Sequence, residues 1–217
     1  MNSSRRNLLS AAAMSPLAAL LPGIANAAPK AAVPGSQEYQ RMRIQEQHLP
    51  NVPLVTHEGK SVHFYDDLVR GKIVTLNFFY AHCDEICPTV TANLARVQKL
   101  LGDKVGRSVF MYSFTLKPEE DTVDVIRDYR EMFHAGPGWT FLTGKIEDIE
   151  KLRKGIGFSY PEPSIDKDKT QHIGNVRYGN EPMMLWGACP GMANPKFVAE
   201  SVTWMFPETS RAQIAAL

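Results

Sequence analysis

The chain has 217 residues, of which 44% are hydrophobic and 22% are charged, a composition typical of a globular protein. Its formal net charge is +1 and it contains no basic run, so nothing in the sequence indicates a nucleic-acid-binding surface. Three cysteines are too few for a disulfide scaffold in a chain of this size, and they point to chemistry instead.

The first 27 residues have the pattern of an export signal. A twin-arginine pair at residues 5–6 precedes an apolar stretch over residues 8–21, and Ala-Asn-Ala at residues 25–27 gives a small-x-small cleavage site. The stretch is shorter than the roughly 20 residues that span a bilayer, which favours cleavage over a retained anchor. We therefore expect a bacterial periplasmic protein with no stable membrane span after cleavage, or an anchored one if the signal is retained. Thiols tend to be oxidised in this compartment.

Residues 28–45 are predicted to form a flexible lead-in, because their first part is rich in alanine and proline. Residues 46–217 are predicted to form one domain with a C-terminal extension. At its start, two β-rich runs over residues 52–56 and 61–64 are joined by a turn-forming segment and predict an N-terminal β-hairpin.

The rest of the chain alternates strand-like and helical patterns. Residues 73–79 form a β-branched and aromatic run typical of a strand covered on both faces, and the next helix is predicted to begin at Pro88. Further strands are expected over residues 109–114, 139–142 and 173–178, and further helices over 122–133, 146–156 and between 195 and 206. This alternation predicts an α/β fold with a central mixed sheet and helices on both faces.

Two cysteines lie where the first buried strand passes into its helix, in the run CDEICP at residues 83–88. Because the N–H groups of a helix N-terminus favour thiolate over thiol, Cys83 and Cys87 suit either a thiophilic metal or dithiol–disulfide exchange. A dithiol at this junction indicates the thioredoxin-like version of the α/β fold. The competing interpretation is a pair of structural core cysteines, and the polar residues between them argue against it.

A third ligand would favour metal binding over redox chemistry, and His172 is the best-placed histidine. It follows a polar segment at the entry to a predicted strand, a position from which it can reach the carboxyl edge of the sheet. His82 is a candidate base or spare ligand, although side chains adjacent in extended chain point to opposite faces. Cys189 is expected to be a buried isolated cysteine in a loop, with a resolving thiol or an extra ligand as alternatives.

The run YAHCDEICP at residues 80–88 resembles the Sco/SenC family of copper-binding, thioredoxin-like assembly proteins. The resemblance spans residues 49–178 and includes the run WTFLTG at residues 139–144 and a matching histidine. In that family the two motif cysteines and this histidine bind copper. The resemblance therefore implies Cys83, Cys87 and His172 as ligands of Cu(I) or Cu(II).

This resemblance and the donor types favour a periplasmic copper chaperone over an enzyme. The partners expected are a copper-accepting subunit of a respiratory oxidase, or a similar cupredoxin-type protein, and an upstream thiol reductant, since only the reduced motif binds metal. The rival hypothesis is a thiol–disulfide oxidoreductase that reduces the cysteines of a copper-site precursor, with Cys83 attacking and Cys87 resolving. A peroxiredoxin-type peroxidase fits less well, because it uses one activated cysteine and a distant resolver.

Two departures from the family's pattern bear on the site. The family usually has Asp-Pro just after the second strand, where this chain has Lys117-Pro118, and its histidine usually follows an acidic residue, where this chain has Gln171. If that aspartate tunes the site, copper affinity or the preferred oxidation state will differ here. Residues 181–217 lie outside the resemblance.

Overall fold

The computed structural model describes residues 34–168 and 174–207. The strands are β1 (Pro53–Thr56), β2 (Ser61–His63), β3 (Ile73–Phe79), β4 (Val109–Thr115), β5 (Trp139–Thr143), β6 (Asn175–Asn180) and β7 (Leu185–Pro190). The helices are α1 (Gln37–His48), α2 (Ile86–Leu101), α3 (Val123–Met132), α4 (Ile146–Gly155), α5 (Pro163–Lys167) and α6 (Pro195–Thr203). Among the helices of these two ranges, none has the length and apolar character that crossing a membrane requires.

The strands form one mixed sheet in the order β2-β1-β5-β4-β3-β6-β7. β3, β4 and β5 run parallel, and the other neighbouring pairs are antiparallel. The predicted hairpin is confirmed as β1 and β2, and it extends the sheet because β1 also pairs with β5. The register places Phe79, at the end of β3, beside Thr115, at the end of β4. Residues that follow these two strands therefore emerge side by side at the carboxyl edge of the sheet.

Helices cover both faces of this sheet. On one face, the Phe79 ring stacks on Tyr129 of α3 with centroids 4.8 Å apart, and the Tyr129 hydroxyl lies 3.1 Å from Thr91 Oγ1 of α2. Leu76 of β3 faces the other side, where it lines a cavity with residues of α1 and α4. This is the alternation expected of side chains three residues apart on a strand. The predicted mixed sheet with helices on both faces is confirmed.

Helix α1 falls partly within the residues predicted as a flexible lead-in. Ser36 caps it, since its side chain accepts the Tyr39 N–H at 3.1 Å. Arg41 of this helix pairs with the buried Glu181 at 2.5 Å, which ties α1 to the rest of the molecule. None of the residues of α1 is buried, so the sequence carries no apolar stripe from which to predict the helix.

Two further elements differ from the sequence-based expectation, and the start of a third falls outside the described residues. Helix α2 begins at Ile86, two residues before the predicted Pro88. Strand β6 begins at Asn175, and Ile173, where it was predicted to begin, lies outside the described residues. Strand β7 contains Cys189, which was expected in a loop, because the glycine and proline around it conceal the strand pattern while pairing with β6 supplies its hydrogen bonds.

Candidate metal centre

Cys83 and Cys87 lie at the carboxyl edge of the sheet, in the segment that joins β3 to α2. β3 ends at Phe79 and α2 begins at Ile86, so Cys87 occupies the first turn of the helix. Both side chains are buried, with Cys83 6% exposed and Cys87 1% exposed. This edge is where α/β sheets usually bind ligands, and the two cysteines lie where the sequence predicts them.

The sulfur of Cys83 caps helix α2. The Cys87 N–H donates to Cys83 Sγ at 3.4 Å, and the Glu85 N–H donates to the same sulfur. The Glu85 side chain, which stands at the N-cap position, makes no capping hydrogen bond. Cys83 therefore satisfies amide groups that a helix start otherwise leaves without a partner, and this explains why the helix starts before Pro88.

Cys83 is the more acidic thiol of the pair. Burial raises its pKa, but hydrogen bonds from the Tyr80 hydroxyl, the Cys87 and Glu85 N–H groups and the Cys87 thiol outweigh burial and leave the pKa below its usual value. Each of these bonds strengthens when the sulfur is charged, and so favours the thiolate. The expectation that the helix N-terminus favours a thiolate agrees with the structure for Cys83.

Cys87 behaves in the opposite way. Burial raises its pKa far above the usual value, a hydrogen bond from the Tyr80 backbone opposes this change, and the hydrogen bond with Cys83 and the charges of Cys83 and Asp121 raise the pKa further. The expectation of a thiolate is therefore wrong for the free Cys87, because desolvation outweighs the helix dipole. The two sulfurs converge through a shared hydrogen bond, with one ready to ionise and the other held as a thiol.

Tyr80 and Lys117 also lie at the site; the sequence pattern indicated Lys117 as a departure from the family's pattern but gave no role to Tyr80. The Tyr80 hydroxyl donates to the Cys83 sulfur, and the pKa of Tyr80 is raised by burial and by the nearby cysteines. Lys117 Nζ lies 4.8 Å from the centroid of the Tyr80 ring and 3.4 Å from Glu120. Lys117 therefore places a cation beside the tyrosine that contacts Cys83.

Asp121 stabilises the segment between β3 and α2 that carries Cys83. Its carboxylate is 1% exposed, accepts the Ala81 N–H at 3.1 Å and accepts the Thr115 hydroxyl. Burial raises the pKa of Asp121, although the hydrogen bonds from Thr115 and Ala81 oppose the change. Asp121 thus holds the backbone two residues before Cys83. The parallel register of β3 and β4 brings these groups together.

The other candidate residues are distributed differently. His172 lies outside the described residues. His82 is exposed while its neighbour Cys83 is buried, as expected for adjacent side chains on opposite sides. Cys189 is buried, unbridged and has a pKa raised by burial. Over residues 34–168 and 174–207, no three side chains of the His, Cys, Asp or Glu type are grouped as a metal site requires.

Gly174, the first described residue after the gap, lies against the start of α2. A Cβ at this position would stand 2.8 Å from Ile86 Cγ2, which is closer than real Cβ contacts allow. The Gly191 N–H holds this backbone by donating to the Gly174 carbonyl at 2.7 Å. The chain that enters β6 therefore passes directly beside the first turn of α2, where Cys87 lies.

The SCO1/SenC family model matches residues 41–206 of this chain. The chain belongs to the SCO1/SenC family. The mitochondrial SCO2 homologue of Bos taurus is 33% identical over 101 residues, which cover 46% of this chain and 37% of that relative. The chain spans between 31% and 63% of the length of the curated Sco and copper-binding relatives it matches.

Solved Sco structures have the same fold. Arabidopsis thaliana ScoI with copper bound gives a TM-score of 0.58 at 23% identity and covers 70% of this chain and 94% of that chain. BsSco, described as a disulfide-switch member of the Sco family of cytochrome c oxidase assembly proteins, gives a TM-score of 0.57 at 21% identity, with 71% and 90% covered. These similarities confirm the predicted thioredoxin-like SCO1/SenC fold.

Proposed function

We propose that this protein is a copper chaperone that binds copper through Cys83, Cys87 and His172 and helps to assemble the copper centre of a respiratory oxidase. The observation that carries the proposal is the convergence of two sulfurs at the carboxyl edge of the sheet, one of them already favouring the thiolate. Two such sulfurs on a strand-to-helix junction form a compact pair of soft donors.

The donor types select copper among the common metals. Thiolates stabilise Cu(I), and an added imidazole allows Cu(II) to be held as well, whereas Mg²⁺ and Ca²⁺ prefer oxygen ligands. Zn²⁺ in a structural site takes four ligands, and the proposed set contains three. An incomplete set suits transfer, because an acceptor ligand can bind before the donor ligands leave. Copper bound to Arabidopsis thaliana ScoI supports the same assignment.

The course of the chain supports His172 as the third ligand. His172 precedes Gly174 by two residues, and Gly174 packs against Ile86 beside the first turn of α2. Two residues of extended chain span about 7 Å, and an imidazole adds further reach. The position of Gly174 beside the first turn of α2 therefore supports a histidine two residues earlier as the third ligand.

The family supports the proposed acceptor, and the first 27 residues support the proposed compartment. Relatives in the Sco family of cytochrome c oxidase assembly proteins support a copper-accepting oxidase subunit, or a similar cupredoxin-type protein, as the partner. The twin-arginine export pattern supports the bacterial periplasm, or a membrane-anchored location there if the signal is retained. An upstream thiol reductant is required in that compartment, since a Cys83–Cys87 disulfide removes both thiolates.

The test is titration of the reduced protein with Cu(I) and Cu(II), following the charge-transfer absorption of copper–thiolate bonds. Replacement of Cys83 or Cys87 by serine should abolish this absorption, and His172→Ala should weaken Cu(II) binding at least tenfold. His82→Ala is the matched control, because His82 is exposed beside Cys83 and should leave the affinity unchanged. Full Cu(II) affinity in His172→Ala would refute the three-ligand site.

The unequal thiols also favour a second candidate function, a thiol–disulfide oxidoreductase. The Cys83 thiolate would attack one sulfur of a substrate disulfide and release the other as a thiolate, leaving a mixed disulfide. Cys87 would then lose its proton to the substrate thiolate released in the first step and attack Cys83 Sγ, which forms the Cys83–Cys87 disulfide and releases the second substrate sulfur with the electron pair of the broken bond. The upstream thiol reductant would restore the pair.

Turnover of the metal-free protein separates the two functions. With oxidised glutathione as the probe, the redox function predicts reduction by the wild type and by His172→Ala, loss of reduction in Cys83→Ser, and a trapped mixed disulfide in Cys87→Ser. Absence of turnover by the reduced wild type would eliminate the redox function. Copper binding with full affinity in that same preparation would leave the chaperone as the remaining assignment.

A further inference from the structure

A cavity of about 380 Å³ lies on the face of the sheet opposite to α2 and α3. Its apolar walls include Leu76 of β3, Ile156 after α4 and Trp186 of β7. Leu76 and Phe79 point to opposite faces of β3, so the cavity is separate from the two cysteines. Its volume lies at the lower end of the range of about 300–1,000 Å³ that is usual for small-molecule sites.

Two glycines allow the walls of this cavity to form. A Cβ on Gly157, whose φ is +76°, would stand 2.3 Å from Arg177 Nη2. A Cβ on Gly179 would stand 2.2 Å from the Trp186 ring. Both side chains therefore lie directly against backbone, in places where any other residue would displace them. The absence of a Cβ at these two positions therefore leaves room for the guanidinium and the indole at the wall of the cavity.

The polar side chains that line the cavity carry nitrogen. They are Arg177, Lys154 and His48, and none of the described residues that line the cavity is an aspartate or glutamate. Arg177 is half-buried, donates a hydrogen bond of 3.4 Å to the Gly157 carbonyl and lies 5.9 Å from the centroid of the Phe158 ring. Within the described residues no carboxylate forms an ion pair with Arg177. In the described part of the chain, a half-buried guanidinium thus faces the cavity with no carboxylate paired to it.

We propose that this cavity binds a small amphipathic carboxylate. Its apolar chain would lie between Leu76, Ile156 and Trp186, and its carboxylate would pair with Arg177, with Lys154 adding positive charge at the opening. A planar guanidinium offers two parallel N–H donors that match a carboxylate, and the apolar surroundings strengthen such a pair. Binding here would be separate from the cysteine pair, because neither Cys83 nor Cys87 is among the described residues that line the cavity.

The experiment titrates the full reduced chain with decanoate and, in parallel, with decanol, which has the same carbon chain without the charge. Isothermal titration calorimetry measures affinity, and Trp186 fluorescence reports occupancy, with Trp186→Phe confirming the source of the signal. Saturable one-to-one binding of decanoate, at least tenfold tighter than that of decanol, is expected. Arg177→Met should weaken decanoate binding at least tenfold, and Arg177→Lys, which keeps the charge but loses the two parallel donors, should weaken it measurably but by less than Arg177→Met.

Arg107→Met is the matched control, because Arg107 is an exposed arginine remote from the cavity lining. It should leave decanoate binding unchanged. The proposal is overturned if the wild type shows no saturable decanoate binding, if decanol binds equally well, or if Arg177→Met and Arg107→Met have the same effect. Thermal unfolding of each variant identifies any loss of fold, and Arg177→Lys keeps the test valid if Arg177→Met is unstable.

Discussion

The hydroxyl of Tyr80 is the side-chain group outside the cysteine pair that stabilises the Cys83 thiolate. Tyr80→Phe removes this hydroxyl and keeps the ring, which is buried under Lys117. A hydrogen bond to a charged group contributes about 1.5–3 kcal/mol, and about 1.4 kcal/mol corresponds to a factor of ten. The thiolate fraction of Cys83 at a pH below its pKa should therefore fall about 10- to 150-fold in this variant.

The reaction rate changes less than the thiolate fraction, because a more basic thiolate is a better nucleophile. With a Brønsted coefficient of about 0.4–0.5, the alkylation rate at neutral pH should decrease about four- to twentyfold. The assay is the reaction of iodoacetamide with the reduced protein in a Cys87→Ser background, followed by mass spectrometry from pH 6 to pH 9. In that background Cys83 is the reactive motif thiol, and Cys189 is buried.

Tyr112→Phe is the control for this experiment. Tyr112 is also a buried tyrosine, 4% exposed, but it lies within β4 and its pKa is raised by burial alone. An unchanged alkylation rate in Tyr80→Phe would refute the assigned hydrogen bond. An equal decrease in Tyr112→Phe would show that the rate responds to lost packing, and the electrostatic reasoning would then fail.

Three further predictions concern stability. Asp121→Ala should lower the free energy of unfolding by about 2–4 kcal/mol, because it leaves the Ala81 N–H and the Thr115 hydroxyl without their acceptor. Asp121→Asn should be at least as stable as the wild type at pH 7, because the raised pKa of Asp121 means that its ionisation costs stability as the pH rises above 3.8. Urea unfolding measures the stability of both Asp121 variants, and a large loss in Asp121→Asn would contradict the sign of this effect. Burial raises the pKa of Glu181, but hydrogen bonds from Gly71, Arg41 and Tyr65 outweigh burial and lower it below 4.5. The ionised Glu181 therefore contributes its full stabilisation of the fold above pH 4.5, and this stabilisation is lost as the pH falls through the folded-state pKa. Glu181→Gln should therefore cost about 2–3 kcal/mol at pH 7 and flatten the acid limb of the stability profile, and equal acid sensitivity in both proteins would argue against it. Cys189→Ala should cost about 1 kcal/mol in urea unfolding through lost packing and leave copper stoichiometry unchanged, whereas lost copper would make Cys189 a ligand.

The elements that the sequence predicts well are those whose own side chains carry the pattern. β3 is a continuous apolar run, and α2 repeats apolar residues at helical spacing, so burial of those residues decides both elements. Helix α1 buries nothing and depends on the distant Arg41–Glu181 pair. β7 depends on pairing with β6, which makes strand formation at a glycine and a proline possible. Stabilisation by distant partners is not visible in a local pattern.

The same distinction applies to the candidate site. The cysteine pair and its position at a strand-to-helix junction can be read from a few adjacent residues. The contributions of Tyr80, Lys117 and Asp121 depend on the parallel register that sets Phe79 beside Thr115. The sequence did contain a signal for these residues: they follow the two predicted strands β3 and β4, and residues that follow adjacent parallel strands emerge at the same edge of a sheet. The opposite ionisation of the two thiols depends on depth of burial, which the spacing of the cysteines does not reveal.

Because the Cys83 sulfur caps α2, the stability of the first turn of this helix should depend on whether that sulfur is ionised, bound to metal or oxidised. A thiolate or metal-bound sulfur keeps negative charge for the Cys87 and Glu85 N–H groups, whereas a disulfide sulfur is neutral and accepts weakly. Amide hydrogen exchange at these two positions should therefore slow when the thiol is ionised or ligated and accelerate on oxidation. Any acceptor protein that docks at this helix end would meet an ordered turn in one state and a frayed one in the other.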